Sequence, residues 1–269
     1  MKFVFSVYCL IISSVSFGQT DSSNQNIFII TTDGFRWQEV FTGADPGLIS
    51  NPRWVEDTAL LKESYWDSSA ELRRQKLMPF FWNTIARQGQ LYGNRLYDNK
   101  MNVANFYKIS YPGYNEMFTG WADPVFIPNV PVRNRNINIL EYLNSREPYA
   151  GKVAAFSSWN IFSAILNEKR SRLPLNSGYE PLPDDSSINN EIINAAQDNI
   201  LQKKNTRYDL LTYLSAREYI EHHQPKVVLI GFGETDEFAH RGRYDLYLQQ
   251  ATQVDQMIAE LWYYVQTNS

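Results

Sequence analysis

The chain has 269 residues, of which 43% are hydrophobic and 20% charged, and a formal net charge of -4. That is enough apolar material for one large domain or two small ones, and it excludes a globally disordered chain. The mild acidity and the lack of a basic stripe argue against a general nucleic-acid binder; the aromatic residues, 14% of the chain, do not interleave with basic ones as a single-strand platform requires.

The chain opens MKFVFSVYCLIISSVSFGQT, with one lysine, an apolar run over 3–17 and small residues at Ser16 and Gly18. This predicts a secretory signal peptide, residues 1–18, and hence a periplasmic or secreted protein. A membrane anchor fits less well, because serines interrupt the run and a spanning helix needs roughly 20 apolar residues. Stable membrane insertion after cleavage is therefore not expected. Cys9, the only cysteine, lies inside this segment behind a bulky Tyr8, unlike a lipidated cysteine. The remaining chain has no disulfide to rely on, so its core, with bound metal as a further candidate, must hold it.

NIFIITTDGF then reads as a buried strand that ends at Asp33. Residues 43–75 are polar and punctuated, an excursion that could serve as a lid. MPFFWNTIARQGQ predicts a helix, and LYGNRLYDN alternates like a strand. In NFYKISYPGYNEMFTG, Ser110 stands two residues before Pro112, where a helix over 112–119 is expected to begin. Just ahead of a helix start lie unpaired N–H groups that welcome an anion, although a serine that merely caps the helix is the simpler reading of this stretch alone.

WADPVFIPNVPVRNRN reads as a surface loop, INILEYLNS as a helix and GKVAAFSSW as a strand; 173–187 is a Pro-, Ser- and Asp-rich loop. Helical patterns over 189–203 and 206–222 precede a second buried strand in PKVVLIGFGETDEFAH, and a final amphipathic helix covers 244–265. Strands alternating with helices predict an α/β fold with a largely parallel sheet.

In such sheets ligands bind beyond the carboxyl ends of the strands, which selects Asp33 and Asp236. Either alone is as readily a turn former or cap. His240 follows Asp236 by four residues, so on a helix the two side chains share a face and can chelate a zinc-type cation. The pair His222-His223 at a helix end, and the run ELRRQK, read as solvated surface. Arg36 is a candidate phosphate contact and Glu234 a candidate supporting group behind the ligands.

In this order, IITTDGFRW, SYPGY with FTG, and ETDEFAH resemble the alkaline phosphatase superfamily, in particular its type I phosphodiesterase and nucleotide pyrophosphatase branch. The resemblance implies a three-layer sandwich with a mostly parallel central sheet and two divalent metal ions, zinc foremost. It implies that Asp33 ligates one ion together with Ser110, the nucleophile, and that Asp236 and His240 ligate the second. Arg36 would contact the small-molecule phosphate ester.

Departures accompany it. Gly113-Tyr114 stands where the branch has Asn-His. The Asp-His pair and last histidine with which the family completes both sites do not follow the final helix, so residues 19–269 are expected to be a catalytic domain lacking its C-terminal part. The expected activity is metal-dependent hydrolysis of phosphate diesters, nucleotide pyrophosphates or monoesters. A sulfatase needs Arg where Tyr114 stands, and a mutase of phosphorylated sugars or glycerates suits export poorly. The alternative from another class is a degenerate member that binds anionic ligands without turnover.

Overall fold

The computed structural model describes residues 26–183 and 187–268; the predicted signal peptide lies outside them. Four strands form one parallel sheet in the order β1-β4-β2-β3: β1 is Ile27–Thr32, β2 Val153–Ser157, β3 Leu175–Ser177 and β4 Val227–Phe232. All six residues of β4 are buried, as expected of a strand covered on both faces, and this is why its sequence is a continuous apolar run. Successive side chains go to opposite faces. Val227 and Leu229 join Val153 and Ala155 in a core with Tyr111, Tyr114, Phe118 and Phe162. Val228, Ile230 and Phe232 point the other way, onto Tyr213, Ala216 and Ile220 of the helix Asp209–His223 and Val254, Met257 and Leu261 of the helix Tyr244–Asn268. The protein is thus an α/β layered structure with helices on both sides of a parallel sheet.

Residues 37–88 form short helices joined by turns and make a third apolar cluster. Phe41, Ile49, Leu61 and Leu77 pack with Tyr244, Tyr247 and Leu248 from the first turns of the last helix. The predicted excursion is therefore a packed layer with its own apolar centre, and Asp45, Asp57 and Ser69 cap its short helices at Gly47, Leu60 and Leu72, among other amides.

Two sequence expectations are corrected. Residues 91–99 hold no strand; Asn94 accepts from the Leu96 N–H and closes a single 3-10 turn, Arg95–Tyr97. Within the predicted loop 173–187, Leu175–Ser177 adds a strand to β2, with Ala155 opposite Leu175. The final helix extends to Asn268. No helix among the described residues is long and apolar enough to cross a membrane.

Register sets what meets at the carboxyl end of the sheet. Thr32 of β1 lies opposite Phe232 of β4, and the Asp33 N–H continues the ladder to the Phe232 carbonyl at 2.9 Å. The turn after β4 is held by Asp209, which is fully buried. Its Oδ1 accepts from the Gly233 N–H at 2.8 Å and from Ser158 Oγ at 2.5 Å, and its Oδ2 accepts from Gln250 Nε2 at 2.8 Å. Asp209→Ala leaves these buried donors without an acceptor and is expected to destabilise the protein by about 3 kcal/mol. A shift in urea midpoint well below that value would show that the turn after β4 is held by other contacts.

Candidate functional site

The helix after the FYKI segment begins earlier than its sequence suggests. It spans Ser110–Thr119, with Ile109 extended at the N-cap position and Pro112 in its third position. Proline is tolerated there because the first-turn N–H groups have no intrahelical acceptor. The Tyr111 N–H is taken instead by Asn129 Oδ1 at 2.9 Å. Ser110 is consequently not the cap. It sits inside the first turn, and its hydroxyl donates to Asp33 Oδ1 at 3.3 Å.

Asp33 leaves β1 at a turn completed by Gly34, which has φ +67. A Cβ on Gly34 would lie 2.7 Å from the Asp236 Cα, so the glycine lets the two strand ends approach. Thr235 Oγ1 fastens them by donating to the Asp33 carbonyl at 2.5 Å. Burial, and then the Asp236 carboxylate, push the Asp33 carboxyl up to about 6, while the Ser110 hydroxyl, the Gly34 amide and the Tyr114 hydroxyl oppose that rise. Burial also raises the Asp236 carboxyl, against the pull of His240.

Asp236 and His240 lie on the helix Glu234–His240, with His240 Nε2 at 3.3 Å from Asp236 Oδ2. The imidazole is 79% exposed. Asp33, Ser110 and Asp236 thus lie at the joined ends of β1 and β4, and His240 stands one helical turn beyond Asp236, in contact with that carboxylate alone among the predicted residues.

The others are engaged elsewhere. Arg36 forms a bidentate pair with Glu39, a residue with no exposed side-chain surface. Glu234 faces away from the pair and accepts the Asp209 N–H at 2.7 Å; burial and the neighbouring Asp209 charge push it up to about 7. His223 lines a cleft with Asn26, Lys152 and Lys226 at the amino ends of the strands, opposite the site, and stacks on Tyr219.

Tyr114 is one of the two residues that stand where the resembled branch has Asn-His. In the fold it is buried against Phe118 and Phe162 and brings its hydroxyl to Asp33. Its position one helical turn after Ser110 was the available signal.

The donors suit a divalent cation. Burial raises the proton affinity of both carboxylates, and Asp236 adds to the rise at Asp33, so positive charge there would relieve them; imidazole and hydroxyl extend the donors to an O/N set typical of zinc. Their number is small: among the described residues no group of three or more His, Cys, Asp or Glu side chains converges. No family model matches the chain, and no curated protein or solved structure does so either.

Gly34→Ala should cost about 1–3 kcal/mol, because it forces an L residue into a left-handed conformation against Asp236. Thermal denaturation would detect the loss. An unchanged transition would mean that the two strand ends separate freely.

Proposed function

We propose that the protein is a hydrolase of phosphate esters of the alkaline phosphatase type, with Ser110 as nucleophile and a three-layer sandwich of that superfamily as its fold. The observation that carries this reading is the hydrogen bond from the Ser110 hydroxyl to Asp33, at a place where Asp236 also converges. A serine in a helix first turn, facing a carboxylate beyond a parallel strand, is placed to be deprotonated and to receive an anion near the helix start.

In the reaction, Ser110 Oγ attacks phosphorus as its proton passes toward Asp33. The new Oγ–P bond forms as the P–O bond to the organic group breaks, and the departing oxygen takes up a proton. Water then cleaves the Oγ–P bond and releases the phosphate product. Tyr114 holds Asp33 in orientation, and Thr235 fixes the backbone on which it stands. Asp33 with Ser110, and Asp236 with His240, are the residues that would hold two divalent cations, zinc first among them. Bound there, such ions supply Lewis-acid charge to the phosphoryl oxygens. Phosphodiesters and nucleotide pyrophosphates rank ahead of monoesters by the sequence resemblance, and export to the periplasm or medium accompanies the reading.

The scarcity of third ligands favours one second reading: a protein that binds phosphate-bearing ligands without turning them over. Zinc content separates the two. The hydrolase should retain about two ions per chain after dialysis, and the binding protein fewer.

Ser110→Ala should abolish hydrolysis of bis(4-nitrophenyl) phosphate and leave the unfolding transition unchanged; residual turnover at the parent rate would remove Ser110 from the chemistry. Asp236→Ala and His240→Ala should each lower zinc content, and parent-level zinc in both would remove them from the ligand set.

A further inference from the structure

Beside the carboxylate pair lies a cleft of about 230 Å³, lined by Gly34 and Ala239 and walled by Leu48, Trp54, Tyr244 and Tyr247. Gly34 belongs to both places. It lines the cleft, and its Cα is close enough to Asp236 that no side chain fits between them. On the far wall, Gly242, at φ +64, lies so near the Trp54 ring that a Cβ would come within 2.6 Å of it.

The polar groups around this cleft are already occupied. Tyr244 Oη donates to Glu39 Oε1 at 3.0 Å and accepts from the Asp45 N–H at 2.7 Å. Tyr247 Oη accepts from the Arg36 N–H at 2.9 Å and donates to the Gly34 carbonyl at 3.3 Å. The Arg36 guanidinium is held by Glu39, and that of Arg243 by Asp245 and Glu56. What remains to meet a ligand is ring surface, the Leu48 side chain, and two arginines whose charges are already paired with carboxylates. Such a lining has no free charge for a second anion, and its planar surfaces favour a flat, uncharged ring.

Taking the phosphate-ester reading as its premise, we propose that this cleft receives the flat aromatic organic group of the ester. The phosphoryl group would then lie across Gly34, at Ser110 and Asp33. The site thereby selects aryl or similarly planar esters over small alkyl ones. This preference comes from the residues that follow Asp33 and His240 in the chain, not from those that follow Ser110.

Three probes test it by isothermal titration of the full chain with zinc present: phenylphosphonate, which would fill both places, methylphosphonate, which would fill only the phosphoryl site, and phenol, which would fill only the cleft. Phenylphosphonate is expected to bind about tenfold or more tightly than methylphosphonate. Leu48→Trp, which fills the cleft, should abolish that margin without weakening methylphosphonate. Trp54→Ala, which removes a wall without filling the space, should reduce it. Equal affinities of the two phosphonates for the parent protein, or a margin untouched by both variants, would overturn the proposal. If phenol binds in a manner lost in Leu48→Trp while neither phosphonate binds better than phenol, the phosphate-ester reading is the part that fails, and the assignment of the ring to a substrate fails with it.

Discussion

A carboxylate with no access to water organises the end of the sheet. Asp209 begins the helix Asp209–His223, yet its side chain turns back to the amides after β4, to the Ser158 hydroxyl after β2 and to Gln250 in the last helix. Burial raises its proton affinity, and the surrounding donors counteract that. Beside it Arg207, also fully buried, bonds to Asn176 of β3, Gln197 and Thr212. Opposite charges and their hydrogen bonds thus tie together three strand ends and three helices. Such a network stabilises only when it is satisfied throughout, and one Arg207 nitrogen, NH2, is buried without a partner. Its structural effect is directional: it fixes where the chain leaves β4, and therefore where Asp236 and His240 point.

The sheet was legible where burial on both faces forces a simple pattern. KVAAFS and KVVLIGF are apolar runs because their strands are covered by helices above and below, whereas IFIITT, at the edge of the sheet, is largely half-buried and leaves Ile27 exposed. Leu175–Ser177 escaped notice because three residues, two of them polar, carry no periodicity; pairing with β2 makes them a strand. The opposite error at 91–99 came from an alternation that Asn94 overrides by bonding to its own backbone. Asp33 and Asp236 were legible as candidates because strand ends are where α/β sheets expose functional groups. That they meet was not, since it depends on the β1–β4 register and on the absence of a side chain at Gly34. Asp209 gave no local signal, because its partners lie far from it in sequence. Arg36 stands three residues after Asp33, and Glu39, one helical turn away, holds its charge, a pairing that its sequence position alone does not reveal.

The layer formed by residues 37–88 bears on the same end of the molecule. A segment so rich in polar residues reads as a flap, but Phe41, Ile49, Leu61 and Leu77 give it an apolar side that matches the first turns of the last helix. Trp54, Trp66 and the buried Trp82 each carry an arginine over the ring. The surface beside the carboxylates is accordingly a fixed wall, built from one segment early in the chain and one near residue 244. Rigid walls of this kind suit recognition by shape.

The pairing of β1 with β4 also has a bearing on how the molecule comes into being. Thr235 and Asp33, joined by a hydrogen bond, are 202 residues apart in sequence. Closing so long a loop has a high entropic cost, and contacts of such separation tend to form slowly. On a ribosome the strand Ile27–Thr32 must wait until the chain from Asp33 to Thr235, a separation of 202 residues, is made before its only strand partner among the described residues has emerged. The carboxylate pair therefore cannot assemble before β4 is made, and until then IFIITT is an apolar segment in search of a neighbour. For that interval the chain depends on chaperones, or on delayed folding, to keep it from pairing with another copy of itself.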